Sequence, residues 1–159
     1  MTEAVVDNTP LSNFAHIQQP KLLAAAFDQP VTAPAVMDEL EVGVQTARIP
    51  AVDWSWLPVI ELTDEERTLA EHLNQTLGRG EAECIAVAKS RQWIMLTDDR
   101  DARRVAREAG LIVSGTLGAL VNLVRDNALS LAEADEFLAI MKRSGYRCPV
   151  NSLSELNTG

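Results

Sequence analysis

The sequence predicts an α/β layer fold built around a mainly parallel sheet. Short apolar runs of strand length, at 4–6, 93–96 and 111–113, alternate with segments of helical period. The connections between the runs are long enough to hold crossover helices, as parallel pairing requires. A chain of 159 residues, 47% of them apolar, suffices for one domain with a single sizeable core, which excludes disordered and collagen-like classes.

Ala4-Val5-Val6 reads as a strand ending at Asp7, and Thr9-Pro10 as a side-chain cap with a proline at the first helical position. Lys21 to Asp28 is a second short helical pattern, and Val31-Thr32-Ala33 is extended. Pro34 opens a helix that passes Glu39 and Glu41 and ends at Gly43 as its C-cap. Residues 44–57 have no helical period and lead as a loop into a strand at Val59-Ile60-Glu61-Leu62. Thr63 and Glu66 have the spacing of a capping box for a helix to about Gln75. Gly78 and Gly80 break the chain before a helix from Glu81, whose Cys84, Ile85, Val87 and Ala88 form one apolar face. Trp93 to Leu96 is a buried strand, Asp101 to Ala109 a helix, and Leu111 to Val113 another strand. Helices over 117–126 and 131–143 follow, the second with a Ser130/Glu133 capping box.

No apolar run approaches the roughly 18–20 residues of a membrane span. Glu3 and Asp7 stand where a signal peptide needs a basic and then an apolar region, so the default is a soluble cytoplasmic protein. Cys84 and Cys148 lack C-x-x-C spacing and read as reduced, packed thiols. A net charge of −9 argues against a general nucleic-acid coat protein and leaves room only for a local basic patch.

In parallel α/β sheets function collects where the strands end. Asp7 ends the first strand, and Asp98 and Asp99 follow Trp93–Thr97. Glu81 lies in the first turn of the helix that returns to Trp93, so its N-terminus shares that rim. Glu39 reaches the rim if its helix is suitably directed. Converging carboxylates repel one another unless a cation intervenes, and oxygen donors without histidine or cysteine suit Mg²⁺ or Mn²⁺. The competing account is that acids at helix N-termini are caps that interact with the helix dipole.

Five stretches carry a resemblance: VVDNTPLSNFAHI, PAVMDELEVG, LGRGEAECIAVAKS, IMLTDDRDARRVAREAGL and GTLGALV. In this order and spacing the chain resembles PIN-domain proteins, nearest to the prokaryotic branch with GEAE and DDR signatures that is related to VapC-type toxins. The likeness covers about residues 4–125, with a weaker match through KRSGYRCPVNSLSEL, and predicts one domain over 1–159 with a C-terminal helical extension at 126–159. It implies a three-layer α/β/α fold and a Mg²⁺- or Mn²⁺-dependent ribonuclease. Its catalytic acids would be Asp7, Glu39, Glu81 and Asp99, and its metal ligands Asp7, Asp99, Glu81 and Asp98. Glu81 stands where the family usually has aspartate, one methylene shorter, and Glu83 is an alternative ligand. Asn8, Thr9 and Thr97, with Glu83, would orient the carboxylates. The resemblance also implies a toxin inhibited by a small antitoxin that inserts an arginine among the acids, and a homodimer.

Arg100, Arg103, Arg104 and Arg107 recur at helical spacing behind the acids, as a stripe to track an RNA backbone or as ordinary solvated surface. Trp54 and Trp56 read as base-stacking, as a dimer surface or as packing. His16 and His72 are isolated, and Thr116 reads as a helix cap. Two further readings stand beside the ribonuclease. One is another metal-dependent phosphohydrolase, disfavoured because no D-x-D follows the first strand. The other is a PIN-like RNA-binding or interaction module that does not cut.

Overall fold

A computed structural model describes residues 3–156. Its centre is a four-stranded, all-parallel sheet of β1 (Glu3–Val6), β2 (Asp28–Thr32), β3 (Ile94–Leu96) and β4 (Val113–Ser114), in the order β2-β1-β3-β4. Ala4, Val5, Val6, Met95 and Leu96 are fully buried because helices cover both faces, which is why these strands are continuously apolar rather than alternating.

The helices are α1 (Asn8–His16), α2 (Leu22–Ala26), α3 (Pro34–Gln45), α4 (Asp64–Leu73), α5 (Arg79–Arg91), α6 (Arg100–Glu108), α7 (Thr116–Arg125) and α8 (Leu131–Arg143). α3, α4 and α6 pack against α5, while α7 packs on α1, α2 and α8. Two helical layers therefore enclose the sheet. α5 is central: Ala82, Cys84, Ile85, Ala86, Val87 and Ala88 are all buried, a run wide enough to meet both the sheet and α4. The buried Glu66 of α4 binds Arg91 of α5 through two hydrogen bonds of 2.9 Å, and the guanidinium also lies 5.0 Å from the Trp93 ring. That pairing holds the Glu66 carboxyl at about 2, with hydrogen bonding from Arg91 the main cause.

Four local expectations change. Helix α1 begins at Asn8, with Asp7 as its cap, because the Thr9 hydroxyl is taken by the Asp98 N–H at 2.8 Å. α3 continues through Gly43 to Gln45, and a Cβ on Gly43 would strike the Ile49 side chain, so the glycine admits the returning chain rather than ending the helix. The expected strand at 59–62 is a single parallel bridge between Thr32 and Val59. Its partner β2 stops at Thr32 and turns into α3, leaving Glu61 and Leu62 nothing to pair with. Gly115, not Thr116, is the N-cap residue of α7. Among the described residues no helix is long and apolar enough to cross a membrane.

Candidate metal centre and its flanks

β1 lies between β2 and β3, and the chain leaves β1 toward one helical layer and β3 toward the other. The crevice between the carboxyl ends of β1 and β3 is thus the topological switch point of the sheet, where ligands bind in open α/β folds. Asp7 follows β1 directly, and its N–H donates to the Leu96 carbonyl at 2.8 Å. Thr97 to Asp99 follow β3.

Asp7 is 2% exposed. Its Oδ1 accepts from the Asn8 N–H at 2.7 Å, and its Oδ2 from the Thr97 hydroxyl at 2.9 Å. These bonds favour the ionised form, yet burial outweighs them and pushes the carboxyl up to about 7, helped by the charges of Glu81 and Glu39. The same Thr97 oxygen accepts from the Asp99 N–H at 3.2 Å, so one buried hydroxyl positions both aspartates. Asp99 caps α6, its Oδ1 accepting from the Ala102 N–H at 2.8 Å. Glu39 reaches across from α3 and accepts from the Gly80 N–H at 3.0 Å. A Cβ on Gly80 would lie 2.8 Å from Glu39 Oε1, so the glycine makes room for that carboxylate. Glu81 bonds the Gly78 N–H at 3.4 Å, and its carboxyl is raised first by burial, then by the charges of Asp99 and Glu39.

Asp7, Glu39, Glu81 and Asp99 therefore share one electrostatic neighbourhood, fed by the N-termini of α1, α5 and α6. The capping account is correct as local structure, but it is incomplete. Each of Glu39, Glu81 and Asp99 uses one oxygen in its bond and leaves the other without a protein donor among the described residues. None of the four forms an ion pair with lysine or arginine there.

Among the described residues no three histidine, cysteine or acidic groups stand close enough together to grip a metal ion at once. The donor set still fits a hard dication. Mg²⁺ keeps several of its waters and needs only one or two protein carboxylates directly, and a buried aspartate lacking any cation is the partner it would satisfy. Asp7 and Asp99, with Glu81 beside them, are the carboxylates that could hold such an ion.

Other expected site residues lie elsewhere. Asp98 turns away from the cluster: its carboxylate accepts from the Thr116 N–H at 2.8 Å, from Asn13 at 3.0 Å and from the Thr116 hydroxyl. It thereby caps α7, whose own N-cap residue Gly115 has no side chain. Glu83 likewise caps α3, accepting from the Ala35 N–H at 2.9 Å. Thr9 supports Asp98 rather than an acid of the centre. Asn8 contributes its backbone N–H to Asp7, while its side-chain oxygen is buried without a partner among the described residues. His16 and His72 stand at the last turns of α1 and α4. Trp54 and Trp56 pack against the core with ring centroids 5.9 Å apart. The sequence reading gave Asn13 no role. It took Gly80 for a chain break and Thr116 for a helix cap, without linking either to a carboxylate.

The arginine stripe divides. Arg104 faces Asp101 at 3.7 Å and Glu108 at 4.0 Å on the solvent side. Arg103 donates to the carbonyls of Thr97 at 2.7 Å and Ser114 at 3.2 Å, tying the ends of β3 and β4 together. A Cβ on Gly115 would lie 2.8 Å from that Thr97 carbonyl.

A family model described as PIN domain matches residues 3–157. The chain belongs to the PIN-domain family. PIN domains are generally nucleases, hydrolases that use divalent metal ions, and the α/β sheet with an acidic switch point is the corresponding nuclease-type fold. No curated protein matches the chain.

Proposed function

We propose that this PIN domain is an endoribonuclease that hydrolyses RNA phosphodiester bonds with Mg²⁺ or Mn²⁺. Asp7 carries the reading: a buried carboxylate without a cationic partner, facing two further acids, is costly to keep unless a cation binds there. When bound, a divalent ion would polarise the phosphate and lower the pKa of a coordinated water to supply the nucleophile. The protein's share is placement. Thr97 fixes Asp7 relative to Asp99, the Gly80 N–H fixes Glu39, and Glu81 projects from the first turn of α5. The N-termini of α1, α5 and α6 offset part of the acidic charge where a phosphate must approach.

The resemblance to VapC-type proteins supports a toxin role with a small antitoxin as partner. An arginine from that partner would satisfy the same carboxylates that await a metal, since a guanidinium matches paired carboxylates through two hydrogen bonds. A homodimer and a cytoplasmic setting belong to the same reading.

The purified chain, incubated with total cellular RNA and then subjected to end mapping, tests it. Cleavage is expected with Mg²⁺ or Mn²⁺ and not with EDTA, and it should vanish in Asp99→Asn. Cleavage that persists in EDTA, or undiminished in a folded Asp99→Asn variant, would refute the assignment.

A further inference from the structure

Behind the acids, α6 presents Arg100, Arg103 and Arg107 to a cavity of about 640 Å³. Its size falls within the range of about 300–1,000 Å³ common for small-ligand sites. A fourth guanidinium, Arg147, joins them from the segment after α8, which brings Tyr146 with it. Among the described residues no carboxylate lies within ion-pair distance of these four arginines. The lining contains one acid, Asp98, and its oxygens are committed to Asn13 and Thr116. Arg103 is committed to two carbonyls and offsets part of the Asp98 charge. A chain of net charge −9 thus keeps three guanidiniums, those of Arg100, Arg107 and Arg147, without an acidic partner among the described residues around one hollow, while Arg104, one turn-face away, is paired.

The rest of the lining differs in kind. Tyr146, Leu117 and Val121 supply an aromatic and apolar surface. Guanidiniums bind phosphate through paired N–H donors, and an aromatic ring offers a base a stacking surface. Position matters as well. Asp98 lines the cavity and Asp99, the next residue, belongs to the acidic centre, so a strand lying across the start of α6 reaches both.

Resting on the ribonuclease reading, we propose that this cavity is a nucleotide subsite. It takes the phosphate and base of an RNA nucleotide neighbouring the one that is cut: the phosphate on Arg100, Arg107 and Arg147, the base against Tyr146. Arg103, fixed by the Thr97 and Ser114 carbonyls, is the rigid floor of the cationic side.

The test uses the full chain and a fluorescently labelled single-stranded RNA octanucleotide in EDTA buffer, with anisotropy read across a salt series. Arg107→Ala combined with Arg147→Ala changes two exposed residues, so folding is expected to persist. The pair should weaken binding by at least about tenfold and flatten the salt slope by up to about 0.7 units, the share of one single-strand phosphate, while Arg104→Ala matches the parent. Tyr146→Ala should weaken binding and Tyr146→Phe restore it. With Mn²⁺ present, the double variant should raise KM and leave kcat near the parent value. Unchanged affinity and slope in the double variant would overturn the subsite, even if metal-dependent cleavage is intact. Arginine-dependent binding by a chain that does not cleave would uphold the subsite and remove the ribonuclease reading instead.

Discussion

Asp7 concentrates the physics of this molecule in one carboxyl group. Its folded pKa, about 7, lies above the ordinary 3.8, so its contribution to stability is fully present below about pH 4 and is lost as pH rises through 7. In metal-free buffer the parent chain should therefore lose up to about 4 kcal/mol across that window, and Asp7→Asn should flatten the loss. Chemical denaturation at pH 4, 6 and 8 measures this; parallel curves for parent and variant would deny Asp7 the burial assigned to it. Gly80 makes a second prediction. Gly80→Ala sets a Cβ against the Glu39 carboxylate, the mobile end of a side chain, so it should displace the acid at little cost to folding. Cleavage should fall about ten- to a hundredfold while the melting temperature stays within a few degrees. A variant as active as the parent would show that Glu39 needs no such placement. The shared rim of Asp7, Glu81 and Asp99 was legible because strand ends and helix starts can be read locally, whereas Glu39, in the middle of α3, was named only through the family likeness. Adjacent aspartates look alike in a sequence, so it did not show that the Asp98 carboxylate goes to the start of α7 while Asp99 caps α6.

Of the helices that begin without a capping side chain, those starting after Ala33, Gly78 and Gly115 each receive an acid from another element. Glu83 serves α3 from 48 positions away, Glu39 serves α5 from 41, and Asp98 serves α7 from 18. These caps stitch the layers together, and they explain why acids crowd this edge beyond the needs of chemistry. Glu83→Ala should cost about 1 kcal/mol, the usual worth of a cap, and leave Mn²⁺ affinity unchanged. A loss of metal affinity with stability retained would return Glu83 to the centre. The capping boxes of α4 and α8 were readable because both partners lie three residues apart. The long-range caps were not, since a residue's local pattern does not record which terminus it will meet. The strand expected at 59–62 failed for a related reason: its composition suits a strand, but pairing depends on where β2 ends.

Across the whole chain, a net charge of −9 coexists with an anionic substrate because charge is partitioned. The carboxylates gather at the switch point of β1 and β3, and the unpaired arginines gather beyond Asp98 around the cavity of α6, α7 and the segment after α8. The fold class was legible from the alternation of short apolar runs with helices. The cavity was not, because its fourth arginine and its tyrosine come from the chain's far end. The central claim is that the acidic centre binds a divalent cation through Asp7. Calorimetric titration of Mn²⁺ into the metal-free protein near pH 7 tests it most directly. The account predicts saturable binding accompanied by proton release, since Asp7 is partly protonated there, and loss of that binding in Asp7→Asn. No binding by the parent chain, or undiminished binding by a folded Asp7→Asn variant, would contradict it.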